Sequence, residues 1–512
     1  MGDEGSSAVK AFYRGANVLL TGGTGFVGMA IVEKLLRVCP DVGTVFLLMR
    51  PKRGKSPAER LQDLAKNPLF ETLVEMRGEG VFERLQVVEG DVSAEGLGLS
   101  AADRARLAAA VHVVLHSAAT LDFDTPLAAT VNTNLLGTRR VLQLCREMTN
   151  LKAMVHVSSA YVNSNRTDVE EILYPVEQDA DKLIELTNTM TEQALEELAP
   201  SLCGDLPNAY ALTKALAEQE VSKECSSFPC AIVRPSMITA AWKEPVPGWT
   251  NSKNGPTGFM MGAAKGVVRR LPVCTNLICD YIPVDVVVNE ILVAAWYAAT
   301  ERSTTVPVFH CTSSTCNPFR WQTVEEHVNT YLHRFPLTSA VWYPYLKFLP
   351  SLMVFRIAAF FVHMIPAYIL DFVTLIAGGK PILVKLHTNV NRSLGRLAPF
   401  IFNEWHFSND NTQQLSKAMN VVDQQLFFLD ISSLQWESYF ISLAQGVRRY
   451  LNKEHPRSLP KAQRKDKILL VLHILLQLLL CFSVWWLTSC ATASPVKASV
   501  VAVVAYSLFS LL

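Results

Sequence analysis

Along the first half of the chain, short apolar runs alternate with stretches whose apolar residues recur at helical spacing. Asn17–Leu20, Val45–Met49, Leu85–Val88, Val111–His116, Ala153–Ser158 and Ala231–Val233 are predicted strands. Helices are predicted at about 26–38, 100–109, 126–148 and 209–225. This alternation predicts an α/β fold on a doubly wound parallel sheet. Beyond about residue 330 the pattern turns mainly helical. There Phe348–Phe372 is apolar but broken by Pro350, Arg356, His363, Pro366 and Asp371, so it is not a clean membrane span. Ile468–Leu487 is apolar except for His473, Gln477 and Ser483, and is long enough to cross a bilayer. Lys453, Arg457, Lys461, Arg464, Lys465 and Lys467 precede it and Trp485 and Trp486 lie near its far end, which predicts a cytosolic location for everything before it. After Pro495 a second apolar run, Val496–Leu512, either returns across the membrane or lies against it. The chain thus divides into a tail (1–14), an α/β domain (15–330), a helical domain (331–452), a basic linker (453–467), a transmembrane helix (468–487) and a candidate second membrane segment (496–512).

Half of the 512 residues are hydrophobic and the formal net charge is +1, so small molecules or lipids are expected as partners and nucleic acid is not. Eleven cysteines without a CxxC pair read as reduced thiols facing a cytosol-like compartment. No cluster has metal-ligand spacing, and no metal is expected. Met1–Glu4 lacks the basic and apolar regions of a secretory signal, so the sequons at Asn165 and Asn391 are read as chance matches.

The first strand empties into Thr21-Gly22-Gly23-Thr24-Gly25-Phe26-Val27-Gly28 and then a helix. Glycines at 22, 25 and 28 permit a tight turn, close approach to phosphates and helix–strand packing, while the helix N-terminus offers free N–H donors. That is a dinucleotide pyrophosphate site. The second strand ends not in the acid that would hold ribose hydroxyls but in Arg50, with Lys52 and Arg53 nearby, which favours a 2′-phosphate and hence NADPH. A solvated loop is the expectation for at least one of Lys52 and Arg53. The third strand delivers Asp91 and Val92, Asp91 placed to accept from the adenine amine. The fourth delivers the small residues Ala118 and Ala119.

Ser159 follows the fifth strand, and about fifty residues later comes Tyr210-x-x-x-Lys214. On a helix this spacing puts phenol and ammonium on one face. A neighbouring cation is expected to lower the phenol pKa, making Tyr210 a usable proton donor or base, while Ser159 holds a substrate carbonyl oxygen. Arg234-Pro235-Ser236 is expected to shape the substrate mouth.

The glycine turn, the serine and the YxxxK pair resemble the extended short-chain dehydrogenases/reductases over residues 15 to 300, with a Rossmann sheet. Trp242–Trp249, Asn254–Gly258 and Asp280–Asn289 are similar to the animal alcohol-forming fatty acyl-CoA reductases, as are Asn317–Phe319, Lys385–His387, Asn403–Trp405, Phe428–Asp430 and Trp436–Tyr439. This resemblance implies two NADPH-dependent reductions of a long-chain acyl-CoA, first to an aldehyde and then to an alcohol for ether lipids or waxes. It implies catalysis by Ser159, Tyr210 and Lys214, and Asn134 anchoring a proton-relay water, with helix packing as Asn134's alternative. It implies a peroxisomal membrane location, the endoplasmic reticulum being the alternative. The 348–372 region then reads as a helix pair that covers an acyl tunnel or dips into the interface, or as ordinary core. His387, Trp405 and Trp436 are read as core. A steroid dehydrogenase or sugar-nucleotide epimerase would use the same serine, tyrosine and lysine with NAD, but Arg50 and the extra C-terminal domain argue against both. A cofactor-binding scaffold would tolerate losing the tyrosine or lysine, and this chain keeps both.

Overall fold

The computed structural model describes residues 6–301, 303–492 and 494–511, with side chains to Ser507. The Met1–Glu4 start and Leu512 lie outside the described residues. Seven strands form one sheet: β1 (Val18–Thr21), β2 (Val45–Met49), β3 (Leu85–Glu89), β4 (Val113–His116), β5 (Ala153–Val157), β6 (Cys230–Pro235) and β7 (Val308–Cys311). Their order is β7-β6-β5-β4-β1-β2-β3 and every pairing is parallel. Parallel strands are joined by helices that cover both faces, which is why β1, β2, β4 and β5 are buried at every residue. Edge strand β3 instead buries Leu85 and Val88, half-buries Val87 and exposes Gln86 and Glu89. Strand order reverses at β1, which has β4 on one side and β2 on the other, so a crevice opens at the carboxyl ends of β1 and β4. β7 escaped the sequence reading because it is four residues long and carries His310, which the fold buries with Nδ1 against the Ser408 carbonyl.

Contacts divide the chain into two compact units. The first runs to Trp249 and resumes at Asp280–Phe319 and Trp405–Gln435. The second joins Thr250–Cys279, Arg320–Glu404 and the chain from Trp436. This differs from a single boundary at residue 330, because the segment after Asp280 supplies β7 and the segment after Trp405 pairs His406 and Phe407 with Asp168 and Val169.

In the first unit, α1 (Phe26–Val38), α2 (Gly137–Glu147), α3 (Ala209–Ser222) and α4 (Val284–Thr300) pack around the sheet. Residues 8–13 are not the expected tail but a helix with Val9 and Tyr13 fully buried. Ser7 and the Ala8 N–H bond Asp423, and Tyr13 donates its hydroxyl to the Leu292 carbonyl at 2.9 Å. These long-range partners, invisible to local pattern, order the start of the chain.

In the second unit, α5 (Leu352–Ile376) is continuous where the sequence predicted interruptions. Pro350 precedes it, and a wide π turn at Phe360–Met364 absorbs the missing donor of Pro366. α6 (Leu383–Ile401) turns back on it. The expected span lies inside α7 (Leu459–Thr492), which packs with α8 (Pro495–Leu511), Trp485 Nε1 donating to Ser499 Oγ at 3.2 Å. Most of the basic segment 453–467 is therefore helix rather than linker. Lys465 Nζ donates to the Thr338 carbonyl at 2.7 Å and Asp466 pairs with His333 at 2.9 Å.

Inside the first unit, α4 buries Glu290 (1 % exposed) near Glu171, with Thr412 donating to both. Burial pushes Glu290 up to about 8 and Glu171 up to about 7. A carboxyl whose folded pKa exceeds its unfolded value holds a proton in the native state, so its contribution to stability is full below about 4.3 and is lost as pH rises through the folded value. Glu290→Gln is expected to flatten the decline in thermal stability between about pH 4.5 and 8, measured by calorimetry across that range.

Candidate active site

The glycine turn joins β1 to α1 under strict steric terms. A Cβ on Gly28 would sit 2.2 Å from the Gly22 carbonyl oxygen. Gly22, at φ +74°, approaches the Ser117–Ala118 backbone so closely that a Cβ would lie 2.9 Å from it. Ala118 N–H donates to Thr21 Oγ1 at 3.1 Å, locking the exits of β1 and β4 together. Gly25 is the N-cap of α1, and no side chain caps that N-terminus. Phe26 stacks on Trp249 at 5.3 Å. A cradle without Cβ atoms, facing an uncapped helix end, fits a dinucleotide pyrophosphate.

Arg50 and Asp91 meet each other at the ends of β2 and β3, Nη1 to Oδ2 at 2.9 Å, beside a cavity of about 540 Å³ also lined by Lys52 and Arg53. Although burial acts upward, the Ser93 N–H and hydroxyl together with Arg50 hold Asp91 below the usual carboxylate range. Arg60 was missed in the sequence. It donates to the Arg50 carbonyl and, at 2.9 Å, to Thr24 Oγ1. Its only sequence signal is the Ser56-Pro57-x-Glu59 capping box that starts its helix. Burial and then the charges of Arg50, Arg60 and Arg53 lower the Lys52 ammonium, the mark of a cationic cluster. Val92 is buried against Gly137, and its carbonyl accepts from Arg140 at 3.0 Å.

Ser159, Tyr210 and Lys214 come together where β5 ends and α3 begins. Ser159, 5 % exposed, caps a short 3-10 turn and hydrogen-bonds the Tyr210 phenol. Asn208 caps α3, its Oδ1 accepting from Ala211 N–H at 3.0 Å, and thereby places Tyr210 in the first turn. Lys214, 2 % exposed, donates Nζ to the Val157 carbonyl at 2.7 Å. The expected lowering of the phenol pKa is not what the site does. Burial pushes Tyr210 up to about 12 despite the Ser159 hydrogen bond, while burial brings Lys214 down to about 8. The ammonium is aimed at β5, and a partly buried phenol loses more solvation on ionising than it recovers. Burial thus opposes ionisation of the Tyr210 phenol.

Asn134 sits in a π turn (Val131–Leu136), with Oδ1 accepting from Thr120 N–H at 2.9 Å and Nδ2 donating to Thr213 Oγ1 at 3.2 Å. Its amide holds the loop after β4 against α3. Thr21, His116 and His156 are neighbours across β1, β4 and β5 and form a polar row beneath the site. His116 Nδ1 lies 2.7 Å from Thr21 Oγ1 and Nε2 lies 3.1 Å from Thr138 Oγ1, which itself donates to the Asn134 carbonyl. The proton therefore belongs on Nε2. Burial and the Lys214 charge press His116 down to about 3 and His156 well below its ordinary value. Arg234 does not shape a substrate mouth. It is fully buried and forks onto Glu218, one turn beyond Lys214, at 2.8 and 2.6 Å.

The family-like segments serve as tethers. Asp285 accepts the N–H groups of Trp242, Lys243 and Glu244 at 2.9, 2.7 and 3.0 Å, and Glu244 pairs with Lys34 and Arg37 on α1. Asn317 Nδ2 donates to the carbonyls of Ile431 and Leu434. Trp405 and His387 are buried as expected, and Trp436 likewise.

The fold, a doubly wound parallel sheet with a glycine turn after β1, is shared with solved reductase domains. The reductase domain of a nonribosomal peptide synthetase from Mycobacterium tuberculosis aligns with TM-score 0.54 and 20% identity, over 87% of this chain and 95% of that one. The terminal reductase domain of the myxalamid pathway aligns with TM-score 0.51 and 20% identity, over 83% and 91%. Sequence narrows the class. The family described as male sterility protein matches residues 20–291 through its NAD-binding part, and its second part, under the same description, matches 362–454. A Drosophila melanogaster protein provisionally named a fatty acyl-CoA reductase, CG8306, is 54% identical over 99% of this chain and 100% of its own length. Rattus norvegicus fatty acyl-CoA reductase 1 is 35% identical over 89% of this chain and 88% of that one. The chain belongs to the fatty acyl-CoA reductase family.

Gly28→Ala tests the cradle. The added methyl cannot fit against the Gly22 carbonyl without parting α1 from β1. Titration calorimetry should show dinucleotide affinity reduced by about tenfold or more, a loss of at least 1.4 kcal/mol.

Proposed function

We propose that this chain reduces a long-chain fatty acyl-CoA to the primary alcohol in two NADPH-dependent steps, releasing coenzyme A between them. The observation that carries the reading is the convergence of Ser159, Tyr210 and Lys214 where β5 ends and the capped first turn of α3 begins, with Lys214 Nζ on the Val157 carbonyl at 2.7 Å. The two relatives named as fatty acyl-CoA reductases support the substrate class. NADPH held on the glycine turn would supply the hydride in both reductions. As charge builds on the thioester oxygen, the Ser159 hydroxyl and Tyr210 phenol donate hydrogen bonds to it. Coenzyme A leaves as the thiol, and in the second reduction Tyr210 protonates the alkoxide. Lys214 orients the cofactor ribose and replaces the Tyr210 proton, its value of about 8 keeping ammonium and amine both accessible near neutral pH. Asn134 acts by fixing the loop after β4 rather than through a water, because its amide is spent on Thr120 and Thr213. Ala118 and Ala119 leave room for the cofactor along that loop, and Val92 supports it from below.

α7 anchors the protein through Ile468–Leu487, with the basic residues before it keeping the catalytic part in the cytosol. α8 returns along α7. The membrane assigned is peroxisomal, with the endoplasmic reticulum as the alternative, and the alcohol supplies ether lipids or waxes.

Tyr210→Phe keeps the ring and removes the donor. With palmitoyl-CoA and NADPH, mass spectrometry should show alcohol formation lower by about a hundredfold or more while NADPH binding persists. Near-normal alcohol output would overturn the assignment. Arg50→Ala should raise the NADPH KM by roughly 10- to 100-fold and leave NADH almost unchanged, since a charge-assisted bond to the 2′-phosphate contributes ~1.5–3 kcal/mol. Equal losses with both cofactors would make Arg50 a strap for Asp91 only.

A further inference from the structure

We infer that α5, with its turn into α6, is a second membrane contact, lying in the plane of an anionic lipid interface on the side from which α7 enters. The face of α5 formed by Ile365, Tyr368, Ile369, Phe372, Val373 and Ile376 is exposed, from 37% at Ile365 to 72% at Ile376. These positions repeat at helical spacing, and Leu370 and Leu375 off that row are exposed as well, so this end of the helix presents apolar surface on most of its circumference. The preceding turns are packed, with Phe355, Ala358 and Val362 each at most 4% exposed, whereas within Ile365–Ile376 Ala367 alone is buried. An outward apolar stripe this long is unusual on a soluble surface and needs an occupant.

Length alone permits α5 to cross a bilayer, since its 25 residues reach about 37 Å. Its neighbour forbids that. α6 folds back on α5 and exposes Asn389, Arg392 and Ser393, which hydrocarbon would strip of their water. A helix packed over its first turns and apolar and exposed over its last ones lies along the interface instead.

Charge selects lipid over a second copy of the chain. Between Leu352 and Ile401 the bases are Arg356, Lys380, Lys385, Arg392 and Arg396, and the acid is Asp371. That carboxylate is spent on the N-terminus of α6, accepting the N–H groups of Ile382, Leu383 and Val384 at 3.0, 3.0 and 2.8 Å. The hairpin is thus cationic, and two such faces would repel each other while anionic headgroups would not. Lys380 and Lys385 flank the apolar end of α5, where their stems can lie along it and their ammonium groups reach the headgroups.

Position agrees. The short segment 265–269 fastens both membrane elements. Lys265 accepts through its carbonyl from Val341 N–H at 2.9 Å, and Trp342 Nε1 donates to His473 near the start of the apolar part of α7 at 3.3 Å. Arg269 N–H donates to His363 Nε2 of α5 at 3.0 Å. α5 therefore sits at the level where α7 enters the bilayer.

The test uses the full chain in phosphatidylcholine vesicles, with and without phosphatidylserine, each carrying a phospholipid with a carbene-generating diazirine in its acyl chain. Peptide mass spectrometry should find label on 365–376 as well as on 468–487, with the first increased several-fold by phosphatidylserine. Phe372→Glu with Ile376→Glu should cut label on 365–376 by about tenfold while sparing 468–487 and NADPH binding. Lys380→Glu with Lys385→Glu should abolish the phosphatidylserine effect. Label on 468–487 alone, or cross-links joining two copies through α5, would overturn the proposal and leave the catalytic reading untouched.

Discussion

The contact between α1 and the turn that precedes it governs the catalytic half. Gly28 lies so near the Gly22 carbonyl that only hydrogen fits between them, and Gly22 lies as near the backbone leaving β4. This closeness brings the uncapped N-terminus of α1 over the carboxyl ends of β1 and β4, at the point where the strand order reverses. The helix held there is also the hub for distant segments. Its other turns carry Glu33, Lys34 and Arg37, three charged residues buried or nearly so: Glu33 pairs with Arg37, and Lys34 and Arg37 meet Glu244. Buried charge of this kind is tolerated only when paired. Glu244 in turn is placed by a backbone run that Asp285 holds from α4.

The site's electrostatics follow from the same economy of buried charge. Lys214 has lost solvent and gained one carbonyl, so its ammonium is weakened. Glu218, which would otherwise neutralise it, is claimed by Arg234 in a two-point fork. The imidazoles of His116 and His156 remain neutral beneath it, because a further cation in that layer would be unpaired. A phenol in such a setting stays protonated, which suits a reduction, where the oxygen of the substrate needs a proton and none has to be removed first.

Segments that identify the family most clearly do little chemistry. Trp242–Trp249, Asp280–Asn289 and Asn317–Phe319 are joined to distant backbone through the side chains of Asp285, Asp280 and Asn317, across gaps of tens to more than a hundred residues. They hold the first unit together where the chain leaves and re-enters it. Recognition of a relative and recognition of a catalytic group therefore draw on different residues here.

Local pattern in the sequence determined six of the seven sheet strands, the glycine turn, the tyrosine and lysine on one helical face and the apolar run of α7, because each depends on neighbours within a few turns. The four-residue β7 was illegible, since its stability comes from pairing with β6 rather than from its own composition. The helix at residues 8–13 depends on Asp423 and Leu292, and the continuity of α5 on a π turn that no proline rule anticipates. Tertiary structure alone decided that Lys214 faces β5, that burial opposes ionisation of the Tyr210 phenol instead of acidifying it, that Arg234 is a buried strut and that Arg60 joins Arg50. In each case the deciding quantity is which charges share a low-dielectric space, and that is set by segments far apart in the chain.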